Sequence, residues 1–286
     1  MTVTIRRARA DDVDFIVDLA SHDDVEPFLG AVSAKDRESV AAEVERSLAE
    51  PHDFGRFVID VDGDRAGTMG FELANRRSRI AHLERLAVHP HFRGRRVADA
   101  AARLLQRHLV ADLGYHRLQL EIYGFNERAM AHAERAAFVR EGTRRRAYRR
   151  HGSWADGVMF GLVADELDVS AAVLILHDFV GDHNECVRTG DWSALGAWFT
   201  EDAELGFDGI PVGPFIGRDA IAAAYRERPP DDRVLTFSVE EANGDVIALY
   251  GWLATPAEVA GRMVVTTERD RIRRLRVTFE QGLSWS

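Results

Sequence analysis

The sequence has a single cysteine and no long apolar run. With Cys186 alone, an internal disulfide is impossible, and a reducing compartment is expected. The longest uninterrupted apolar stretch, AAVLIL at 171–176, is far shorter than the roughly 20 residues that cross a bilayer. The start of the chain, MTVTIRRARADDVDFI, has the pattern of neither a secretion signal nor an anchor. We therefore expect a cytoplasmic protein with no membrane partner.

The chain also lacks net positive charge. Its formal charge of −10 at pH 7 disfavours general nucleic-acid binding. One basic run, RRRAYRR at 144–150, alternates like a strand and is expected to form an exposed, partly paired face. The eleven histidines are scattered, without the spacing of a metal site. We expect neither a nucleic-acid partner nor a bound metal.

Length and patterning indicate two domains. A chain of 286 residues fits about two domains of ordinary size. The pattern of elements restarts after the polar stretch at 163–170, and the sequence contains no internal repeat. We predict α+β architecture throughout, with one domain at 1–165 and a second at 168–286.

The first domain is predicted to contain a mixed sheet with helices packed on it. Alternating apolar residues predict strands and a hairpin, at 3–9, 56–73, 80–88 and 116–123. Helical spacing of apolar residues predicts helices that include 35–50 and 126–138. The predicted order is β-α-α-β-β-β-α-β-α-β-β.

The second domain is predicted to place helices before a sheet. The spacing predicts a long helix over 171–191 and a helix over 217–229, followed by strands with a turn at Asn243–Gly244. This order indicates an α+β cone with a curved antiparallel sheet. His177 and His183 lie near the apolar stripe of the long helix, and we interpret them as core residues, with an acid–base role in a pocket as the alternative.

A cluster of arginines marks the point where a turn becomes a helix. In HPHFRGRRVADAAARLL, residues 89–105, Arg93, Arg95 and Arg96 surround Gly94 just before an amphipathic helix. A helix N-terminus has free N–H groups and a partial positive charge, which together attract anions. The cluster predicts a site for a phosphate-bearing ligand.

Three segments in order carry a resemblance to a known family. RGRRVA fits the motif Arg/Gln-x-x-Gly-x-Gly/Ala through Arg93 and Ala98, VHPHFRG fits its lead-in, and NERAMAHAERAAFVREG fits a later Asn-x-x-Ala segment. Residues 3–165 thus resemble the GNAT superfamily of acyl-CoA-dependent N-acetyltransferases, in the branch of the ribosomal-protein-alanine acetyltransferases. The resemblance implies acetyl-CoA as cosubstrate and an amine acceptor, either a small molecule or a protein N-terminus. It also implies a set of coenzyme-binding residues: Leu86, Ala87, Val88, Arg93, Gly94, Arg95, Arg96, Val97, Ala98, Asn126 and Arg135.

The sequence departs from the family pattern at three positions. Arg96 and Ala137 stand where the family has glycines. Coenzyme A is still expected to bind, because backbone N–H groups and helix polarity hold a phosphate, although a left-handed backbone at Arg96 would strain the turn. Ala133 stands where many relatives have a tyrosine that protonates the departing thiolate. That proton is expected to come from Tyr123, His132 or water.

The family also needs a base that takes a proton from the amine. Glu84 on the predicted central strand is the first candidate, acting directly or through water, and His82 and Glu121 are possible substitutes. The predicted catalytic residues are therefore Glu84, Tyr123 and His132.

The second half has a weaker resemblance. GDWSALGAWFTEDAEL at 190–205, GPFIGRDAIAAAY at 213–225 and DRIRRLRVTFE at 270–280 are similar to the nuclear transport factor 2-like cone in its SnoaL-like branch. The resemblance implies a cone that binds substrate or mediates dimerisation, and a homodimer is expected. The alternative function is a non-catalytic acyl-CoA sensor whose cone binds a small molecule or pairs subunits.

Overall fold

A computed structural model describes residues 1–29, 36–150 and 152–279. The chain divides into two compact units, one formed by residues 1–107 and 115–167 and the other by 108–114 and 168–286. Within the described ranges, no helix is both long and apolar enough to cross a membrane.

The first unit contains seven strands and four helices within its described residues. The strands are β1 Val3–Arg7, β2 Phe54–Val61, β3 Asp64–Asn75, β4 Ile80–Val88, β5 Arg117–Tyr123, β6 Val139–Arg150 and β7 Ser153–Val163. The helices are α1 Val13–Ser21, α2 Arg37–Ala49, α3 Val97–Arg107 and α4 Glu127–Arg135. This order agrees with the sequence pattern. The predicted helix at 35–50 begins at Arg37, where Asp36 accepts a hydrogen bond from the Ser39 amide at 2.8 Å, and Lys35 lies outside the described residues.

The seven strands form one mixed sheet in the order β1-β2-β3-β4-β5-β7-β6. Only β4 and β5 run parallel among the pairs described for this sheet. Their register runs from Ile80 opposite Arg117 to His82 opposite Gln119, and it ends there although both strands continue. The strands therefore separate in the middle of the sheet, and a cleft opens between them.

The helices cover the sheet with apolar stripes. Val13, Ile16, Val40 and Val44 from α1 and α2 pack with Val58 of β2. On α3, Val97, Ala101 and Leu105 are buried, as their helical spacing predicts. The regular part of α3 ends at Arg107, and a wider π-helical turn follows over His108–Asp112.

The second unit has two α-helices and six strands in its described part. The helices are α5 Ala171–Thr189 and α6 Arg218–Glu227, and the strands are β8 Phe199–Asp208, β9 Phe215–Ile216, β10 Val234–Ala242, β11 Asp245–Trp252, β12 Gly261–Glu268 and β13 Arg271–Phe279. The sheet order is β10-β11-β12-β13-β8-β9. The sheet was predicted to be antiparallel, and its strand pairs are antiparallel except for one, in which β13 runs parallel to β8. After β8 the chain forms β9 and α6 and then the consecutive strands β10 to β13. The last of these, β13, lies beside β8, and this path sets the direction in which it runs.

Both histidines of the long helix are buried. Nε2 of His177 lies 2.8 Å from the carbonyl oxygen of Ala111. Burial lowers the pKa of His183, whose ring packs edge-on against Trp192 at 5.4 Å. Trp192 in turn stacks on Tyr225 at 5.5 Å between ring centroids. These contacts fit the interpretation of both histidines as core residues.

Candidate active site

The separation of β4 and β5 produces a cleft of about 390 Å³ in the first unit. Many of the residues that the sequence singled out line it, namely His82, Glu84, Leu86, Ala87, Glu121, Tyr123, Asn126, His132 and Ala133. Others lie outside its lining: Val88, Arg93, Gly94, Arg95, Arg96, Val97, Ala98 and Arg135. The cleft thus combines the base and acid candidates, while the arginine-rich turn lies just beyond the end of β4.

A bulge in β4 shapes the cleft wall. Thr68 of β3 pairs with Ala87, but Gly70 pairs with Glu84, so two residues of β4 face one residue of β3. Arg85 in the bulge has φ of +60°, a left-handed conformation that non-glycine residues rarely adopt. Oε1 of Glu84 lies 3.1 Å from Nε of Arg85. The predicted base is therefore held in an ion pair at the cleft.

Arg85 also connects Glu84 to a buried group of charges. Its Nη1 pairs closely with Oε2 of Glu43 on α2. The same oxygen lies 3.6 Å from Nε of Arg56 on β2. Arg56 is only 1% exposed and lines the cleft. Burial, followed by the charge of Arg85, lowers the pKa of Arg56 to about 10.

His132 is oriented by a carboxylate. Its Nδ1 lies 2.7 Å from Oδ1 of Asp99, a buried residue in the first turn of α3. Nε of Arg135 lies 3.5 Å from the other oxygen of Asp99. Burial alone would raise the pKa of Asp99, but hydrogen bonds from His132 and Arg135 outweigh it and hold the pKa below its usual value. This arrangement fixes the ring of His132 at the cleft and leaves Nε2 as its other polar atom.

The tyrosines of the cleft are held by neighbouring side chains. Tyr123 packs under the guanidinium of Arg150, whose Cζ lies 5.4 Å from the ring centroid. Tyr148 donates a hydrogen bond of 2.8 Å to Oε2 of Glu121, and Nη1 of Arg144 donates to the same oxygen at 3.0 Å. Burial, followed by this hydrogen bond, raises the pKa of Tyr148. Glu121 is therefore already occupied by two donors.

The turn before α3 contains two left-handed residues, Gly94 with φ of +77° and Arg96 with φ of +56°. The guanidinium of Arg93 donates from Nε to the carbonyl of Val88 at 3.2 Å and from Nη2 to the carbonyl of Asp24 at 3.2 Å. Its side chain thus fixes the turn to the end of β4. The N–H groups of the first turn of α3 have no partner within the helix and are available for an anion.

The segment from Asn126 to Phe138 contains the second position, Ala137, at which this chain lacks a glycine of the family motif. Asn126 is the N-cap of α4, and its Oδ1 accepts a hydrogen bond from the Ala129 amide at 3.1 Å. Ala137 has φ of +67°, so the second replaced glycine of the family motif is also left-handed. Both replacements place a β-carbon where the backbone favours glycine.

Sequence reasoning missed Glu43, Arg56, Asp99 and Tyr148. Asp99 and His132 lie on different helices, and Glu43 and Arg56 lie on a helix and a strand, so no local pattern links them. Tyr148 lies within the run RRRAYRR, which was interpreted from its arginines as an exposed basic face. No group of three or more potential metal ligands is found among the described residues.

Comparisons with known proteins agree with this geometry. Residues 2–139 match the family model described as the acetyltransferase (GNAT) domain. The match lies in the N-terminal part of the chain and supports a GNAT acetyltransferase domain there. A curated relative, the SPbeta prophage-derived uncharacterized N-acetyltransferase YokL of Bacillus subtilis, is 27% identical over 85 residues, which cover 30% of this chain and 48% of that protein. The chain therefore spans about half the length of the curated relative that it matches.

Solved structures support the same fold. The spermidine N-acetyltransferase of Vibrio cholerae in complex with CoA and spermine is 18% identical with a TM-score of 0.53, over 57% of this chain and 96% of that one. The ribosomal L7/L12 alpha-N-protein acetyltransferase RimL in complex with coenzyme A is also 18% identical with a TM-score of 0.53, over 58% of this chain and 97% of that one. At this identity the likeness establishes the fold of the GNAT domain alone.

Proposed function

We propose that the protein is an acetyl-CoA-dependent N-acetyltransferase that acts on an amine. The observation that carries the proposal is the cleft between β4 and β5, which brings together Glu84 and the Asp99–His132 pair. The match to the GNAT family model supports it. Two proteins of similar fold, the spermidine enzyme and RimL, were solved with coenzyme A, which further supports acetyl-CoA as the cosubstrate.

The proposed coenzyme site follows the free edge of β4 into the turn before α3. Past His82 the backbone of β4 no longer pairs with β5, so Leu86, Ala87 and Val88 can hydrogen-bond the peptide-like pantetheine arm. The N–H groups from Gly94 to Ala98 would hold the pyrophosphate, with added attraction from Arg95 and Arg96. The Arg93 amide, also expected to take part, already donates to the carbonyl of Pro90 at 3.2 Å. A β-carbon added at Gly94 would meet no atom within 4 Å, which fits an open turn. Asn126 faces the arm from the cleft, and Arg135 adds positive charge beside α3.

Two residues of the cleft would carry out the two proton transfers of the reaction. Acetyl-CoA, when bound, supplies the acetyl group as a thioester. The amine nitrogen forms a bond to the acetyl carbon, the carbon–sulfur bond breaks, the amine proton goes to Glu84, and the sulfur takes a proton from His132. Asp99 acts as a positioning residue, because it fixes the imidazole ring without touching the reacting atoms.

His132 is the acid that the contacts favour. The position next to it, where relatives have a tyrosine, is Ala133, and both residues line the cleft. The phenol of Tyr148 donates to Glu121, and the ring of Tyr123 is packed under Arg150, so both tyrosines have structural contacts of their own. The pairing with Asp99 gives His132 the orientation that an acid requires.

For the C-terminal unit, we propose a SnoaL-like cone that binds the acceptor or pairs two copies of the chain. Its mixed six-stranded sheet beside a long helix is compatible with such a cone. Exposed Ile216 and Phe279, at 61% and 38%, are apolar side chains that pairing would cover. Light scattering at micromolar concentration tests the homodimer, and a monomer would contradict it.

The absence of a tyrosine at Ala133 favours a second function, a non-catalytic acyl-CoA sensor. Two measurements on the full chain separate the two functions. Coenzyme A at a hundred times its dissociation constant would stabilise the protein by about 2.7 kcal/mol and raise its melting temperature in either case. Thiol release from acetyl-CoA over a panel of amines would occur only in the enzyme. A melting shift without thiol release would favour the sensor, and no shift with millimolar coenzyme A would contradict both.

A further inference from the structure

One buried cation in the cleft lacks enough acceptors. Arg56 is 1% exposed and lines the cleft, yet its Nε and Nη1 are buried and make no hydrogen bond to any residue that the structure describes. Its nearest carboxylate oxygen, Oε2 of Glu43, lies 3.6 Å from Nε and is shared with Arg85. A buried guanidinium without acceptors is costly, so this group is prepared to receive an anion.

A second guanidinium lies beside it. Arg85 is placed in the cleft wall by the left-handed bulge of β4, and its charge adds to burial in lowering the pKa of Arg56 to about 10. The two cations therefore repel each other. Glu43 lies between them as their shared partner, and Glu84 pairs with Arg85. A further carboxylate at this point would relieve the repulsion and supply the missing acceptors.

The carboxylates of the cleft region are already paired. Glu84 and Glu43 contact Arg85, and Glu121 accepts from Arg144 and Tyr148. A polyamine carries several ammonium groups, and each needs a carboxylate that is not already neutralised by an arginine. The charged side chains of the cleft therefore suit an acceptor with one amine and one anionic group better than they suit a polyamine.

Resting on the function proposed above, we propose that Arg56 and Arg85 bind the carboxylate of the acceptor, so that the acceptor is a small amino acid. When the acceptor carboxylate pairs with Arg56 and Arg85, it would replace Glu84 as a partner of Arg85, and Glu84 would then receive the amine beside them. Because Oε1 of Glu84 lies only 3.1 Å from Nε of Arg85, the amine and carboxylate of the acceptor must be close together. An α-amino acid, in which one carbon joins the two groups, meets that requirement.

The test uses the full chain, acetyl-CoA and acceptors that differ only in the anionic group. L-Phenylalanine is compared with L-phenylalaninamide, L-leucine with L-leucinamide, and both pairs with spermidine, by thiol release. In each pair kcat/KM is expected to be about 10- to 100-fold higher for the carboxylate, the range of a hydrogen bond to a charged group. The amide has the less basic amine and more of it is unprotonated at neutral pH, a bias that runs against the expected result.

Variants locate the preference on Arg56. Arg56→Met is expected to abolish it, and Arg56→Lys to keep part of it, since charge without the planar fork remains. Arg37→Met, which removes an exposed arginine of the same unit, serves as the matched control and keeps the preference. If Arg56→Met fails to fold, the wild-type comparison and Arg56→Lys still decide the question.

The outcomes separate this proposal from the proposed function. Equal or better acetylation of the amides, or spermidine as the best acceptor, overturns the carboxylate site and leaves the acetyltransferase standing. No acetylation of any amine, with a coenzyme A melting shift present, contradicts the proposed function instead.

Discussion

Oδ1 of Asp99 lies 2.7 Å from Nδ1 of His132, so the helix that begins at the arginine-rich turn also orients a side chain of the cleft. The same element is thus linked to both the proposed coenzyme site and the proposed acid. A proton donor held in this way can replace a tyrosine lost from the adjacent position, Ala133.

We expect His132→Gln to lower kcat by about 10²- to 10⁴-fold, the usual contribution of general acid catalysis. Asp99→Asn is expected to lower kcat with little change in KM, and Asp99→Glu to restore part of it. An aryl thioester of acetate is the control donor, because its thiolate departs without a proton. If His132→Gln and Asp99→Asn lose as much activity with the aryl thioester as with acetyl-CoA, the role of His132 as the acid is wrong.

Glu84→Gln is expected to lower kcat/KM for the amine by a similar factor, about 10²- to 10⁴-fold, since the amine loses its base. The melting shift with coenzyme A should not change, because the proposed phosphate contacts come from the turn before α3. Glu72→Gln, an exposed glutamate of β3 paired with Arg46, is the matched control. Activity retained in Glu84→Gln would move the role of the base to His82 or Glu121.

Arg96→Gly and Ala137→Gly are expected to stabilise the protein by about 1 kcal/mol each. Both residues are left-handed, with φ of +56° and +67°, and the β-carbon is unfavourable there by about that amount. Ala136→Gly is the control and is expected to destabilise the protein, because Ala136 has φ of −86° and glycine there adds chain entropy and removes a buried methyl group. Urea unfolding measures all three, and a loss of stability in Arg96→Gly would mean that the arginine side chain outweighs the backbone strain.

Asp12 supplies a test of pH dependence. It is fully buried and accepts hydrogen bonds from Arg6 at 2.6 Å, from the Arg9 amide at 2.8 Å and from Arg65 at 2.7 Å. Burial alone would raise its pKa, but the hydrogen bonds from Arg6 and Arg9 and the charges of Arg6 and Arg65 outweigh burial and hold the pKa below the ordinary value. The folded pKa is therefore lower than the unfolded one, so this contribution to stability is complete above about pH 4 and is lost as the pH falls through the folded pKa.

Asp12→Asn is expected to reduce the free energy of unfolding by about 1–3 kcal/mol at neutral pH, because it removes a charged acceptor that Arg6 and Arg65 share, while Arg6 keeps Asp60 and Arg65 keeps Asp11. The difference from wild type should shrink as the pH is lowered below about 4. Asp14→Asn, which removes a largely exposed ion pair with Arg37, is the control and should change stability little. A difference that stays constant with pH would contradict the assignment to Asp12.

Most strands and helices could be predicted from the periodicity of apolar residues, and the features that could not be predicted have physical reasons. The strand at 80–88 and the helix that begins at Val97 follow from alternation and spacing. The parallel pairing of β13 with β8 does not, because a period of two defines the faces of a strand but not its direction. The bulge at Arg85 was hidden because an arginine, and no glycine, occupies its left-handed position.

The candidate site was predictable only in part. Glu84, Tyr123 and His132 were chosen for the base and acid roles that the family resemblance implies, and all three line the cleft. Their roles remain predictions. Asp99, Glu43 and Arg56 depend on contacts between distant segments, 33 residues apart for Asp99 and His132, and such contacts leave no local pattern.

The assignment of His108–Gly114 to the second unit has a consequence for how the protein is made and divided. Ala111 belongs to the apolar core that includes Val173 and Leu176, and the Val239 amide donates a hydrogen bond to Asp112 at 3.2 Å. The residues that this short segment contacts are therefore synthesised well after the segment itself. A single cut at 164–170 would leave the segment on the N-terminal fragment. The second unit is therefore discontinuous in the chain, and a C-terminal fragment that starts at 168 lacks part of its own core.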